Sequence, residues 1–85
     1  MLQKSVQRSG SMTKYQRRRI RALKVVLEAL EDRDMTSHEL SLVLESKQIR
    51  GSSYFVGSLL TPMVERGEVL RLKNKEDRVY YSLKL

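Results

Sequence analysis

Residues 52–67, SSYFVGSLLTPMVERG, are the stretch whose reading decides the fold. Placed as a helix, Val56, Leu59, Leu60, Met63 and Val64 share one side at i, i+3, i+4, i+7 and i+8, the spacing of a stripe that faces a core. The opposite side carries Tyr54, Ser58 and Thr61, with Gly57 beside them. Ser52 or Ser53 can cap the start by accepting backbone N–H bonds, and Gly67 after Arg66 suits the left-handed residue that ends many helices. Pro62 conflicts with this helix. It has no N–H for the Ser58 carbonyl and costs about 3 kcal/mol in an undisturbed helix. A kink near Ser58, or a break with a restart at Pro62, is expected.

Toward the C-terminus, Glu68 to Lys73 and Arg78 to Leu83 read as two strands joined by Asn74, Lys75, Glu76 and Asp77, residue types that suit a hairpin tip. In the second strand Val79, Tyr81 and Leu83 alternate toward one face, assigned to the core, which leaves Tyr80 and Ser82 outside. Lys73, Lys75 and Arg78 gather positive charge near the tip. Such cations keep an edge hairpin from aggregating, or they grip an anionic backbone beside the helix; the neighbouring helix favours the second role.

Toward the N-terminus comes the link SKQIRG, with Ile49 as its buried anchor, Gly51 permitting the turn, and Lys47, Gln48 and Arg50 free to reach outward. A second helix is expected over Ser37 to Glu45. Thr36 and Glu39 have capping-box spacing, and Met35 with Leu40 has the spacing of a hydrophobic staple. Leu40, Val43 and Leu44 would face the core, and Leu42 falls off that face. A first helix is expected from Thr13, capped with Gln16, to Leu30. Its apolar arc is Ile20, Leu23, Val26, Leu27 and Leu30, widened by Ala22, Val25 and Ala29; Lys14, Arg17, Arg21 and Lys24 lie nearly opposite. An arc that wide implies packing on two sides or contact with a second subunit. The basic face is either solvated or set against phosphates.

The first residues, MLQKSVQRSGS, have no helical or strand period and are expected to be unstructured. Gly10, Ser11 and Met12 resemble the junction of an expression tag with a native start at Met12. Residues 13–85 then form one small domain, with a single modest core. The sequence contains no cysteine, which leaves the core to packing alone and fits a reducing compartment. Seventeen Lys and Arg against ten acids give a formal net charge of +7, a balance that favours a polyanionic partner. The charge is segregated: every charged residue from Met1 to Lys24 is basic, whereas acids dominate from Val25 to Ser46. No apolar run approaches the roughly 20 residues a bilayer crossing needs, so no membrane is expected. His38 is the lone histidine, with no second ligand beside it, and no cofactor or metal is expected. Catalysis is not expected either, for no glycine-rich phosphate loop and no nucleophile with a spaced base occurs.

The order helix, short extended link at MT, helix, turn, helix, then RGEVLRLKNKEDRVYYSLKL resembles the winged helix-turn-helix domains over Lys14 to Leu85. ERGEV looks like the end of the third helix and the start of the first wing strand, and DRVYYSL like the second wing strand. The fold this implies is α+β, mainly α: three helices, a C-terminal two-stranded wing, and a short third strand near Met35. The resemblance implies a third helix in the major groove of double-stranded DNA, with Ser53, Tyr54, Gly57, Ser58 and Thr61 on the reading face. Lys73, Lys75 and Arg78 would act on the wing, while Lys47, Arg50, Arg17 and Arg21 supply charge to phosphates. A small cytoplasmic transcriptional regulator, bacterial or phage, is the expectation. The sequence departs from the family in a longer turn between helices two and three and in a helix face without Arg or Lys, although arginine to guanine is the commonest specific base contact. The competing expectation is a winged helix that docks a partner peptide or acidic segment of another protein through exposed Tyr54 and Phe55; a homodimer is a further expected partner.

Overall fold

In the computed structural model the first helix, α1 (Lys14–Asp32), starts where its cap predicts. Thr13 Oγ1 accepts the Gln16 N–H at 3.1 Å, and Gln16 Oε1 accepts the Thr13 N–H at 3.0 Å. The structure describes residues 13–83; the stretch expected to be unstructured or tag-derived, residues 1–12, lies outside the described residues. After α1 come β1 (Met35–Thr36), α2 (Ser37–Ser46), α3 (Ser53–Glu65), β2 (Val69–Lys73) and β3 (Val79–Leu83). The architecture is thus α+β and mainly helical, with an antiparallel sheet in the order β1-β3-β2.

The face that α1 turns inward differs from the expected arc. Ala22, Val26 and Leu30 are buried, Leu23, Val25, Leu27 and Ala29 are half-buried, and Ile20 is 58% exposed. The arc is wider than the core needs, so its outer edge at Ile20 stays exposed. α2 begins at the expected capping box: Thr36 Oγ1 accepts the Glu39 N–H and Glu39 accepts the Thr36 N–H. Leu40 and Leu44 of α2 are buried and Val43 half-buried, while Leu42 is 50% exposed.

Both α2 and α3 end in the same way, with a left-handed residue and paired backbone bonds that satisfy the last carbonyls. At the end of α3 that residue is Gly67 (φ 79), with Gly67 N–H donating to the Val64 carbonyl and Glu68 N–H to the Met63 carbonyl. At the end of α2 it is Gln48 (φ 61), with Gln48 N–H donating to the Glu45 carbonyl and Ile49 N–H to the Leu44 carbonyl. Gln48, not Gly51, therefore makes the turn. Gly51 is required for space instead: a Cβ there would lie 2.6 Å from the Phe55 ring.

α3 runs unbroken through Pro62, so no restart occurs. Val56, Leu59, Leu60 and Met63 are buried as expected, with Val64 half-buried. The carbonyl of Ser58, which Pro62 cannot serve, accepts Nη2 of Arg19 at 3.0 Å, so α1 supplies the missing donor from outside the helix. The hairpin pairs Val69 with Leu83 and Lys73 with Val79, and β1 joins it through Met35 opposite Tyr81 and Thr36 opposite Tyr80. Asn74 closes the tip, its Oδ1 accepting the N–H groups of Glu76 and Arg78. Tyr81 is buried against the helices, and Val69 and Met35 join it in the core.

Candidate functional site

The outward face of α3 forms one wall of an open concavity of about 520 Å³. Ser53, Tyr54, Gly57, Ser58 and Thr61 line it from the helix, Ser37 from α2, and Arg71, Val79 and Tyr81 from the hairpin. All five helix residues expected on the reading face are thus brought together. Their availability differs. Tyr54 is 87% exposed. The Thr61 hydroxyl donates to the Gly57 carbonyl at 2.8 Å. The Ser58 hydroxyl donates to the Phe55 carbonyl at 2.8 Å and lies 3.4 Å from Nη1 of Arg19. Each of these oxygens has its proton engaged and retains only acceptor capacity.

Arg71 is the residue that sequence reasoning missed. It sits opposite Tyr81 in the hairpin register, so it shares the face that turns toward the helices, and it is exposed there. The signal was present in the alternation: once Tyr81 is assigned inward, the residue paired with it points the same way. This arginine supplies the cation that the α3 face itself lacks. The three cations expected on the hairpin do not join it. Lys73, Lys75 and Arg78 line no part of the concavity, and Lys73 Nζ lies 3.3 Å from Asp77 at the tip.

On the other flank of the α3 N-terminus lies a second concavity, between α1 and the α2–α3 link. Lys14, Arg17, Arg18, Arg21 and Arg50 line it, together with Gln48 and Ile49, and no carboxylate does. Arg50 of the α2–α3 link, distant in sequence, joins Arg17 and Arg21 of α1 here in one patch. Lys47, expected to act with them, is the C-cap of α2 and lines neither concavity. Arg18 is held by stacking: its guanidinium carbon lies 5.4 Å from the Tyr15 ring centre and 5.0 Å from that of Phe55. Its Nε is buried without a hydrogen-bond partner. Aromatic faces attract the cation, and the two rings meet edge to face at 6.4 Å. Phe55 is therefore half-buried under Arg18, and only Tyr54 of the expected aromatic pair stands free.

Comparison with protein-family models, with curated proteins and with solved structures finds no match to this chain. Among the described residues, no group of three or more His, Cys, Asp or Glu side chains could hold a metal ion, and no helix is long and apolar enough to cross a membrane.

Gly57 bears on what the α3 face meets. Glycine inside a helix costs about 1 kcal/mol relative to alanine, yet nothing among the described residues demands it. The nearest atom to an added Cβ would be the Tyr81 hydroxyl, 3.9 Å away, an ordinary contact. A bare backbone facing an open groove lets a ligand approach closely.

Proposed function

We propose that this chain is a winged helix-turn-helix domain that binds double-stranded DNA. In this reading α3 enters the major groove, β2 and β3 form the wing, and the basic concavity of α1 holds the sugar-phosphate backbone alongside. The observation that carries it is the groove in which Arg71 joins Tyr54, Ser53 and Thr61 beside Gly57. An exposed guanidinium beside acceptor hydroxyls, over a backbone with no side chain in the way, offers the donors and the access that base edges require. Arg71 is the residue assigned to base contact, and Tyr54 and Thr61 to base edges, thymine methyls or phosphates. Ser58 acts with Arg19 to hold the helix in place. Lys14, Arg17, Arg18, Arg21 and Arg50 supply the phosphate contacts that dominate affinity and carry no sequence information. Lys73, Lys75, Arg78 and Lys47 add general positive potential.

The test is a titration of mixed duplexes at several salt concentrations. Neutralising about five phosphates gives a slope of log affinity against log salt of about −4 to −5, and a flat response rejects the reading. Gly57→Ala provides the sharper check. It should raise stability by about 1 kcal/mol through helix propensity while weakening DNA binding, because the added methyl narrows the groove. Unchanged binding in that variant would remove the helix face from the interface.

A second reading, a protein-docking module, is favoured by one observation: Tyr54 stands 87% exposed on the rim of a groove. Aromatic anchors of this kind are common at the centres of protein interfaces. Binding to a protein that Tyr54→Ala abolishes, together with unaltered DNA mobility, would select it.

A further inference from the structure

The charge pattern of α1 opposes its own dipole. The N-terminus of a helix favours acids and the C-terminus favours bases, yet the first turn of α1 has no acid and its last turn no base. Lys14, Arg17, Arg21 and Lys24 occupy the first half, and Glu28, Glu31 and Asp32 the second. All seven are exposed, and none forms an ion pair among the described residues. A polyanion at the basic half leaves the acidic half uncompensated. The flank of the helix that the core covers only in part carries Ile20, 58% exposed, with Leu23 and Leu27 half-buried beside it at the edge of the core. Their spacing of three and four residues is that of a helix-pairing seam.

We propose that the chain self-associates through this seam, with α1 of a second copy lying antiparallel across Ile20, Leu23 and Leu27. The antiparallel direction follows from charge. It sets the basic half and positive dipole end of each helix against the acidic half and negative dipole end of the other, which a parallel pair cannot do. One helix carries both complementary halves, so the surface is self-complementary, as a two-fold interface requires. With Leu23 of one copy against Leu27 of the other, Arg17 of each faces Glu31 of the other across the flank of the seam. Lys24 falls near the two-fold axis, where its long stem lets the ammonium splay into water. A single helix pair lies at the small end of stable interfaces, so the dimer is expected to dissociate in the micromolar range, about 10 µM.

The test is sedimentation equilibrium of the full chain without nucleic acid, over a concentration range up to roughly 50 times the expected dissociation constant. The wild type should pass from monomer to dimer, and Ile20→Asp should remain monomeric with an unchanged helical circular dichroism signal. Arg17→Glu and Glu31→Arg should each weaken the dimer about tenfold, since each replaces two attractive pairs by two repulsive ones. The double variant Arg17→Glu/Glu31→Arg should restore it. A wild type that stays monomeric throughout overturns the proposal, as does a dimer that Ile20→Asp leaves intact. A double variant no tighter than the single ones does so too, and because these side chains lie outside the core that arm is decisive even if Ile20→Asp perturbs folding.

Discussion

Arg19 shows how one side chain can make a discordant sequence consistent. Pro62 deprives the Ser58 carbonyl of its helical donor, and Arg19 Nη2 provides another at 3.0 Å. Removing it leaves a half-buried carbonyl unpaired, so Arg19→Ala is expected to cost about 1–2 kcal/mol. In a Pro62→Ala background the backbone N–H regained at that position takes over, and the same change should cost measurably less. Urea unfolding of the four combinations measures that coupling; additive effects would show that the carbonyl never needed Arg19. Gln48 poses the opposite case, a residue kept in a left-handed conformation where glycine is the usual choice. Gln48→Gly should raise stability by up to about 1 kcal/mol, seen as a higher midpoint of urea unfolding. Under the proposed function it should also weaken DNA binding, since Gln48 is the uncharged polar side chain among the cations of the α1 concavity. Strain retained beside a functional surface has this signature.

At the scale of elements, the entry to α2 is the best-determined junction in the chain, because cap, strand and core meet within a few residues. Thr36 caps α2 and pairs with Tyr80 as part of β1. Thr36→Ala is therefore expected to lower stability by about 1 kcal/mol from the cap alone. Glu39 brings a pH dependence. The Thr36 N–H that its carboxylate accepts, and after it the charge of Arg33, hold its carboxyl below the ordinary value of 4.5. A group with a depressed pKa binds its proton more readily in the unfolded chain. Its contribution is complete above about pH 4.5 and is lost as pH falls through the depressed value. Glu39→Gln keeps the acceptor and removes the charge, so its deficit against wild type should be present at neutral pH and vanish in strong acid. A deficit that persists in acid would mean that the amide fits the site less well than the carboxyl, and that the charge does not carry the effect.

For the whole molecule, the proposed division of labour places sequence-blind charge on the α1 side of α3 and base recognition on the hairpin side. Replacing Arg17, Arg21 and Arg50 together by Gln should weaken binding to all duplexes alike and reduce the salt slope by about 3. Arg71→Ala should instead change the ranking of duplexes, with the slope reduced by at most about 1. Binding measured on a small panel of duplexes at two salt concentrations separates the outcomes. If both variants act alike, the two concavities do not have distinct roles.

The sequence by itself determined where the helices begin and where α3 stops, because those signals are local. A threonine three residues before Gln16 or Glu39, a glycine after Arg66, and alternation through Val79, Tyr81 and Leu83 act over a few bonds of chain. The same locality made the α3 stripe legible, along with the polar residues that oppose it. Only the tertiary structure decided how far the core covers the broad apolar arc of α1, and so left Ile20 outside. It also decided that Arg19 answers Pro62, that Arg71 rather than Lys75 or Arg78 reaches the α3 groove, and that Arg17, Arg21 and Arg50 become one patch. These depend on how helices and hairpin dock, and periodicity fixes which side of an element is greasy without fixing which neighbour meets it.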